Sequence, residues 1–468
     1  MKKVTIIGAG PAGLFTAYKL VTDSEKKLDI QIIDAGGTIE QRVSAKNKDV
    51  LHGIGGAGLM SDGKLIFDTR VGNNLNEVMS QKENERLTNE VKNIFESFGA
   101  VESEIDSVKA LEFRRKAMQS GIEFLCSNQG HIGTDRLIPL MKDFQNYLVE
   151  RGVSFICNTE VQSLDEESDF FVLVPGRVSG GSGWMEKILK EKGIEYSYRP
   201  VDIGVRVETP SIITDLVTEI SRDMKCYIKT KTYQDNVRTF CTCPNGFVGH
   251  EEHKFVNREI ILICKKCGNT MKSGICNKCG QEVVVDYPET KFNTVNGHSE
   301  SGKSTENTNF ALLVTIPMTK PLTNSNQYAR NIGLAFHDLS GGKTIAQRWG
   351  DLIRYQRSKE RKQKDCHFRS TLEDLTWGDL ALAMPARYLT DLIEGMEKLN
   401  MIIPGLTSDE TILHAPEIKF HGLLIPTDAY FRTEKGIYVG GDGSGYTRGI
   451  VGSAASGLRV AEGILREI

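Results

Sequence analysis

The N-terminal stretch constrains the fold of this chain more than any other part of the sequence. In "KKVTIIGAGPAGLFTAYKL", the apolar run 4–7 precedes glycines at positions 8, 10 and 13, and helix-forming residues follow. The pattern G-x-G-x-x-G between a strand and a helix is typical of a dinucleotide-binding turn. Gly8 would allow the tight turn, Gly10 would let a pyrophosphate approach the backbone, and Gly13 would let the helix pack on the strand. The sequence therefore predicts an α/β fold that begins with a Rossmann-like unit.

A carboxylate follows at the distance that such a unit requires. The second apolar run, "IQII", ends at Asp34, 21 residues after Gly13. An acid at this place accepts a hydrogen bond from a ribose hydroxyl of the adenosine. The alternative is a surface acid at the end of a strand.

The C-terminal region carries a second glycine-rich motif. "GIYVGGDGSGYTRGIVGSAASGLRVAEGIL", at 436–465, predicts a short strand, a turn that holds Asp442, and a small-residue helix that begins near 448–450. A site that uses both ends of the sequence suits a long, bent dinucleotide such as FAD. Asp442 could accept from ribityl hydroxyls, and the helix N-terminus could face the flavin pyrimidine edge, where reduction places negative charge. The alternative is that the small residues serve helix–sheet packing alone.

Together these motifs resemble the FAD-dependent oxidoreductases of the glutathione-reductase-like fold. More closely, the chain resembles a group of uncharacterised FAD-dependent dehydrogenases of bacteria and archaea. The shared stretches are "GAGPAGL", "GIGGAGLMSDGKL", "HIGTDRL", "VLVPGR", "RTFCTCPNG", "NFALLV", "AQRWGDL", "APEIKF" and "GGDGSGYTRG". The resemblance implies a bound FAD, an FAD domain built from separated segments, and a second domain over the flavin. These motifs do not name a substrate.

The resemblance also implies which residues hold the cofactor. Arg42 matches an arginine that faces the diphosphate. The glycine segment 53–65 matches a loop that runs beside the flavin ring, and Val161 matches a residue whose backbone contacts adenine. Lys64, at the end of that loop, could stabilise the reduced flavin anion or simply be solvated. The full set of predicted cofactor residues is Gly8, Gly10, Pro11, Ala12, Gly13, Asp34, Arg42, Gly56, Ala57, Gly58, Ser61, Asp62, Gly63, Lys64, Val161, Gly176, Gly441, Asp442, Arg448, Gly449 and Ile450.

Two further residues join Lys64 as catalytic candidates. His131 lies in "HIGTDRL", a turn that could bind a substrate or cofactor anion, although its neighbours 134 and 135 also suit a helix N-terminus. Lys419 shares one face of a predicted strand with Glu417. These two side chains would either pair with each other or face the active site.

Cysteines form two separate motifs. Cys264, Cys267, Cys276 and Cys279 make two C-x-x-C-G knuckles, which indicate a small zinc ribbon; rubredoxin-like iron is the less favoured metal. The ribbon could recruit a protein or RNA partner or simply stabilise a loop. Cys241 and Cys243 form a C-x-C pair that indicates either redox-active thiols beside the flavin or buried, inert cysteines.

The predicted architecture is a Rossmann-like FAD-binding domain with a discontinuous mixed α+β substrate domain and a small inserted zinc ribbon. The predicted boundaries are 1–184 and 415–468 for the two parts of the FAD domain, 185–350 for the substrate domain, 255–288 for the ribbon and 351–414 for a helical part. The predicted function is hydride transfer between flavin and an unidentified organic, small-molecule substrate. NAD(P)H is a candidate partner, although a second dinucleotide motif is missing from the sequence. The alternative is a flavoprotein whose ribbon recruits its partner for modification or redox sensing.

A competing nucleotide motif lies in "VNGHSESGKSTEN". Gly297, Gly302, Lys303 and Ser304 satisfy G-x-x-x-x-G-K-[ST], the pattern of a P-loop. A P-loop requires a helix directly after it, whereas the β-branched run "NFALLVTIP" predicts a strand. We therefore interpret the match as a coincidence in a polar loop and expect no ATP site.

Composition places the chain among ordinary globular proteins. The 468 residues carry a formal net charge of −3 and are 39% hydrophobic, so nothing global favours nucleic acid or an anionic membrane. An apolar run of eighteen residues does not occur, and glycines break the N-terminal apolar run early, so neither a membrane span nor a signal peptide is expected. A cytoplasmic location with mostly reduced cysteines is the expectation.

Overall fold

The computed structural model describes residues 1–44, 51–61, 63–100, 102–103, 107–126, 129–132, 134–164, 167–177, 183–256, 262–263, 267, 270–271, 274–275, 278–279, 282–283, 289–299 and 303–468. Its α-helices are α1 (Pro11–Asp23), α2 (Ile39–Ser44), α3 (Gln81–Ser97), α4 (Ser107–Gln119), α5 (Thr134–Glu150), α6 (Trp184–Glu191), α7 (Ser211–Thr218), α8 (Ser325–Ser340), α9 (Trp349–Ile353), α10 (Ala386–Ile402) and α11 (Ile450–Glu467). Short 3₁₀ helices span Gly56–Met60, Leu75–Glu77, Glu360–Asp365, Leu380–Leu382 and Asp442–Ser444.

The strands range from two to ten residues in length. They are β1 (Lys2–Ile7), β2 (Leu28–Ile33), β3 (Lys64–Ile66), β4 (Glu102–Ser103), β5 (Ile122–Leu125), β6 (Gln129–His131), β7 (Ser154–Ile156), β8 (Phe170–Leu173), β9 (Ser197–Tyr198), β10 (Val201–Pro210), β11 (Lys225–Lys229), β12 (Asn236–Cys243), β13 (Phe247–Val256), β14 (Leu262–Ile263), β15 (Thr270–Met271), β16 (Gly274–Ile275), β17 (Glu282–Val283), β18 (Glu289–His298), β19 (Asn307–Ile316), β20 (Ile345–Arg348), β21 (Thr376–Trp377), β22 (Ile412–Lys419), β23 (Leu423–Leu424) and β24 (Tyr438–Val439).

A parallel sheet holds the predicted nucleotide motif. Its order is β24-β8-β1-β2-β7, and every neighbouring pair is parallel. The apolar residues of β1 are buried on both faces of the sheet, as parallel strands require. Helix α1 packs against α3 and α5 through Phe15, whose ring lies 5.1 Å from the rings of both Phe95 and Phe144. The predicted α/β class and its opening strand–turn–helix are therefore confirmed.

A larger mixed sheet forms the second layer. Its order is β21-β20-β22-β10-β19-β12-β11-β5, with β10 antiparallel to both of its neighbours. One face carries Ile203, Val205 and Val207 and packs against α10, where Leu392 and Met396 belong to the same apolar core. The other face carries the alternate residues of β10, and these are polar and buried.

A long hairpin covers that polar face. Strands β13 and β18 pair antiparallel over ten residues each. The hairpin lies close to the sheet, because Glu251 Oε2 is 3.7 Å from Lys419 Nζ and His250 Nε2 is 3.1 Å from Thr344 Oγ1. It shields the charges beneath it from water.

The predicted domain boundaries cross this second sheet. Strand β22 spans the boundary placed at 414/415, and β5 joins the sheet from within the segment assigned to the FAD domain. The segment 351–414, predicted to be helical, contains α10 and also the strand β21. In the described part of the chain, none of the helices combines the length and the apolarity needed to cross a membrane.

Candidate functional site

The glycine turn after β1 forms a cradle with one open position. A Cβ on Gly8 would lie 2.3 Å from the carbonyl oxygen of Val174, and one on Gly13 would lie 2.0 Å from that of Gly8. These two glycines are therefore required by protein packing. A Cβ on Gly10 would meet only the Cα of Gly56, at 3.9 Å. Gly10 borders open space at the N-terminus of α1, where the first N–H groups and the helix dipole favour an anion.

Asp34, at the end of β2, ties the cradle to two neighbouring loops. Its Oδ2 accepts from the backbone N–H of Ala9 at 2.7 Å, and its Oδ1 accepts from those of Gly36 and Gly53, both at 2.8 Å. A carboxylate has about four acceptor positions. The acid therefore fixes the backbone around the cradle and keeps capacity for a hydroxyl.

Arg42 supports the loop beside the cradle from within. Its side chain is buried, with Nη1 donating to Ile54 O at 2.5 Å and Nη2 donating to Gly56 O at 2.9 Å. These contacts make Arg42 a brace for the segment 53–56, whose carbonyl groups accept its hydrogen bonds. Its predicted role of facing a diphosphate stays a prediction.

The C-terminal motif closes the other side of the cradle. A Cβ on Gly58 would lie 3.0 Å from Ile450 Cγ1 and 3.9 Å from Pro11 Cγ, so the 3₁₀ helix 56–60 touches the first residues of both α1 and α11. Helix α11 begins after Gly449, where a Cβ would meet no described atom within 4 Å. Two helix N-termini therefore converge on the same open region.

Asp442 organises the turn before α11. Its Oδ1 accepts from Thr447 Oγ1 at 3.0 Å and Ser453 Oγ at 2.7 Å. Its Oδ2 accepts from the N–H of Gly449 at 3.2 Å and lies 3.2 Å from Arg177 Nε. The acid predicted to meet ribityl hydroxyls thus also fixes the start of the helix.

Arg448 joins the cradle to the second sheet. Its Nη1 lies 3.1 Å from Asp202 Oδ2 on β10, and Arg238 Nη2 lies 2.5 Å from the same oxygen. Burial alone would raise the pKa of Asp202, but Arg238, His421 and Arg448 outweigh it and hold the pKa well below its usual range. The carboxylate is therefore ionised and links the two sheets.

Arg206 and Glu417 form a buried ion pair in the middle of the polar face. Both side chains have no exposed surface, and Arg206 Nη1 lies 3.2 Å from Glu417 Oε1. Lys419 Nζ lies 3.1 Å from the same oxygen, so the predicted pairing of Lys419 with Glu417 is observed. Burial lowers the pKa of Lys419, but Glu417 and Glu251 outweigh it and raise the pKa overall. Lys419 is therefore held as a cation.

Lys64 extends from the cradle side to the same face. It begins β3, directly after the predicted flavin loop, and its Nζ donates to the carbonyl of Thr242 at 3.0 Å. Thr242 lies between Cys241 and Cys243. The backbone of His131 pairs with that of Lys64 in the antiparallel β3–β6 ladder. Two of the predicted catalytic residues are thus neighbours in one ladder, and Lys64 contacts the C-x-C motif.

The remaining predicted residues lie around this core. Val161 O accepts from Trp184 Nε1 at 2.6 Å, and Ser61 Oγ donates to Gly58 O at 2.6 Å. Asp62 lies outside the described residues. The remaining cradle positions are Pro11, Ala12, Ala57, Gly63, Gly176 and Gly441, in the turns and helix starts already named.

Two of the predicted metal ligands cannot be placed. Cys264 and Cys276 lie outside the described residues, whereas Cys267 and Cys279 are half-buried. Within the ranges that the structure describes, His, Cys, Asp and Glu side chains do not gather in groups of three or more that could hold a metal. The zinc ribbon stays a prediction from spacing.

The buried pair Glu208–His414 was not predicted from the sequence. Their contact is 2.8 Å, between His414 Nε2 and Glu208 Oε2, and both side chains have no exposed surface. Burial would raise the pKa of Glu208, but hydrogen bonds from His414, Thr371 and Asn307 lower it to about 2. The alternation of "VDIGVRVE" was the available signal, since it places Asp202, Arg206 and Glu208 on one face.

A separate cavity of about 540 Å³ lies among residues 76–80, Glu83, Ala429 and Arg459. It includes none of the predicted cofactor or catalytic residues. The convergence of helix N-termini, thiols and buried charges therefore locates the candidate site better than cavity size does.

Comparison with known proteins supports the predicted class. Residues 269–419 match the family model described as "FAD-dependent protein, C-terminal domain-like". This part of the chain contains His414, Glu417 and Lys419 but not the cradle. An uncharacterised protein of Clostridium beijerinckii (strain ATCC 51743 / NCIMB 8052) is 21% identical over 514 residues, covering 99% of this chain and 80% of that protein.

Among solved structures, pyridoxine 4-oxidase from Mesorbium loti matches with a TM-score of 0.42 and 11% identity over 100% of this chain and 99% of that one. L-proline dehydrogenase from P. horikoshii has a TM-score of 0.38 and 12% identity over 100% and 94% of the two chains. We draw no argument about substrate from similarities at this level.

The cradle, the parallel sheet and the family match together support an FAD-dependent protein. This agrees with the cofactor predicted from the sequence, and oxidoreductase activity stays a prediction.

Proposed function

We propose that this protein binds FAD in the cradle between α1 and α11 and transfers a hydride between the flavin and an organic substrate at the polar face of the second sheet. The observation that carries the proposal is the contrast between Gly10 and Gly13. Of these two residues, Gly13 is required by protein packing, whereas Gly10 borders space that the described residues leave open. A pyrophosphate is the group for which a glycine is needed at that position.

The residues present fit the cofactor. Asp34 would accept from the adenosine ribose, the N-termini of α1 and α11 would bind the diphosphate and the flavin pyrimidine edge, and Lys64 would lie near the ring. Bound there, FAD would supply the hydride acceptor or donor. The contact of Lys64 Nζ with Thr242 O, 3.0 Å long, supports this position, because it places a cation between the loop and the second sheet.

The polar face would bind and orient the substrate. Arg238, Lys419 and Arg448 provide cations, and Asp202 and Glu417 hold them in fixed positions. Fixed cations select a substrate with an anionic or strongly polar group, because their ion pairs are already formed before binding. The hairpin β13–β18 would keep water from this face.

Three finer proposals rest on the sequence alone. Zinc would be held by Cys264, Cys267, Cys276 and Cys279, which metal analysis of the purified protein tests. NAD(P)H would reduce the flavin, which anaerobic titration with each nucleotide tests. A protein or RNA partner of the ribbon is the least favoured, and deletion of 255–288 followed by measurement of turnover tests it.

The central experiment compares Gly10→Ala with the unmodified protein. Purified protein reconstituted with FAD should show a flavin absorption spectrum, and the released cofactor should have the mass of FAD. Gly10→Ala should unfold at the same temperature without cofactor, because its Cβ clashes with no described atom. It should bind FAD at least about tenfold more weakly, which is about 1.4 kcal/mol.

Gly13→Ala serves as the contrasting variant. Its Cβ would lie 2.0 Å from Gly8 O, so it should lose folding stability whether or not FAD is present. A colourless protein after reconstitution, or unchanged FAD affinity in Gly10→Ala, would refute the proposal.

A further inference from the structure

The C-x-C motif lies on an irregular part of β12. The pairing of β12 with β19 runs from Asn236 to Phe240, shifts register, and resumes only at Cys243 opposite Asn309. Cys241, within this bulge, has a φ of +48°, which a residue with a Cβ adopts only when its surroundings impose it. The bulge therefore reorients the first cysteine relative to the second.

This geometry matters for disulfide formation. In a regular strand, residues two apart lie about 6.6 Å apart along the strand, near the upper limit of the Cα separation that a disulfide spans. A bulge shortens the strand locally and turns the side chain. Cys243 Sγ already approaches the carbonyl of Cys241 at 3.6 Å. The irregularity thus places the Cys243 thiol against the backbone of Cys241, on a stretch of β12 that is shorter than a regular strand.

Two cations lie beside the pair. Arg206 Nη2 donates to Cys241 O at 2.6 Å and lies 3.5 Å from Cys243 Sγ. Lys64 Nζ contacts the carbonyl of Thr242, between the cysteines, at 3.0 Å. A negative charge, that of Asp223, also lies near the pair, because its carboxylate accepts from the Thr242 N–H at 3.0 Å. This carboxylate is itself paired with Lys225, at 2.7 Å.

The two thiols differ in the way that a redox pair requires. A hydrogen bond from Cys243 lowers the pKa of Cys241 to about 5; burial opposes the shift, and Lys64 and Arg206 reinforce it. The hydrogen bond to Cys241 and burial raise the pKa of Cys243. Cys241 is half-buried, whereas Cys243 is 1% exposed. The lowered pKa and the greater exposure of its residue make Cys241 the attacking thiol of the pair, and Cys243 its partner.

We propose that Cys241 and Cys243 form a redox-active dithiol that reduces a low-molecular-weight disulfide. The Cys241 thiolate attacks one sulfur of the external disulfide, whose S–S bond breaks and releases one thiolate. Cys243 gives up its proton and attacks the Cys241 sulfur of the mixed disulfide, which releases the second thiol and closes the Cys241–Cys243 bond. The protein loses two electrons, and the external disulfide gains them. This activity needs no bound flavin, so it stands or falls independently of the proposed FAD site.

The test uses a convenient peptide. Trypsin cleavage after Arg238 and Lys254 releases Thr239–Lys254, which contains Cys241 and Cys243 as its two cysteines. The full chain is incubated with oxidised glutathione, acid-quenched, alkylated under denaturing conditions and digested. The expected peptide carries no alkyl group, because its two thiols form a disulfide. When the sample is reduced with dithiothreitol before alkylation, the same peptide should carry two alkyl groups. Recovery of the doubly alkylated peptide after oxidised glutathione would overturn the proposal.

Variants assign the roles. Cys243→Ser should trap glutathione on residue 241, and Cys241→Ser should form no adduct on residue 243. Absence of an adduct in Cys243→Ser would contradict the role of Cys241 as the nucleophile. The matched control is Cys226→Ser, on neighbouring β11, where burial raises the thiol pKa to about 12; it should behave as the unmodified protein. Should a variant fail to fold, the peptide from the unmodified chain decides.

The pH dependence of the alkylation rate shows whether the Cys241 thiol is activated or merely lies near Cys243. The rate of alkylation of Cys241 by iodoacetamide should reach half its maximum well below pH 7 in the native protein. Lys64→Met should move that midpoint upward, because it removes a cation from beside the thiolate. A midpoint near 9 in the unmodified protein would refute an activated thiol.

Discussion

Gly297 lies directly against the guanidinium group of Arg206. A Cβ on Gly297 would be 1.7 Å from Arg206 Nη2 and 2.3 Å from Asn309 Oδ1. The backbone of the hairpin strand β18 therefore packs directly against the buried ion pair of the second sheet. The first glycine of the P-loop pattern thus has a structural reason to be glycine that involves no nucleotide.

Gly297→Ala should lower the free energy of unfolding by about 3 kcal/mol or more, since Arg206 is fixed by Asn309 and Glu417 and cannot move aside. Chemical denaturation measures the loss. Gly249→Ala, in the facing strand, is the control: its Cβ would approach His298 at 3.2 Å, so it should cost under about 1 kcal/mol. Equal stability of the two variants would contradict this account of the hairpin.

Lys303→Ala should leave nucleotide binding unchanged, because the unmodified protein should not bind ATP. Lys303 precedes the strand β19 rather than a helix, so it lacks the helix N-terminus on which a P-loop depends. Isothermal titration with Mg-ATP is the measurement. Micromolar ATP affinity that disappears in Lys303→Ala would restore the P-loop interpretation.

Glu208 should make the fold sensitive to acid. Its pKa of about 2 in the folded protein lies below the ordinary value of 4.5, so the carboxylate stabilises the fold above pH 4.5 and this contribution is lost as the pH falls through 2. The difference corresponds to about 3 kcal/mol. Glu208→Gln should flatten the stability profile in this window, and exposed Glu219→Gln should not. Parallel profiles for Glu208→Gln and the unmodified protein would disprove the assignment.

Asp202→Asn should be far more damaging than Arg448→Met. The first change removes a fully buried carboxylate from Arg238, whose side chain is 15% exposed, and loss of one partner from such a pair costs about 3 kcal/mol or more. The second removes a cation whose side chain is 32% exposed, which should cost about 1 kcal/mol or less. Thermal unfolding of both variants without cofactor provides the comparison. A larger loss in Arg448→Met would show that the link between the sheets depends on the arginine.

The local elements were predictable where one pattern dominated. The strand and helix around the glycine turn, Asp34 after the second strand, the strand "NFALLV" and the start of α11 at Ile450 all lie as predicted. In each case the residues that define the element are close in sequence. Hydrophobic periodicity and glycine spacing therefore suffice to predict these elements.

The burial of the polar face was not predictable in the same way. Apolar and polar residues alternate along β10, which is typical of a strand with one solvent-exposed face. Asp202, Arg206 and Glu208 on its polar face nevertheless have no exposed surface. Their burial depends on the hairpin and on the turn before α11, which come from distant parts of the chain. Likewise, the contacts of Arg42 with Ile54 and Gly56 depend on a loop fold that a motif does not encode.

The order of strands in the parallel sheet has a consequence for synthesis. Strand β1 emerges from the ribosome first, but its sheet receives β24 more than 400 residues later, and α11 follows β24. Both flanks of the cradle exist together only once residues beyond Ile450 have been translated. Because the proposed FAD site uses both flanks, a nascent chain should not retain the cofactor there, and a frameshift or stop codon before β24 should yield a protein without cofactor even though its glycine motif is intact.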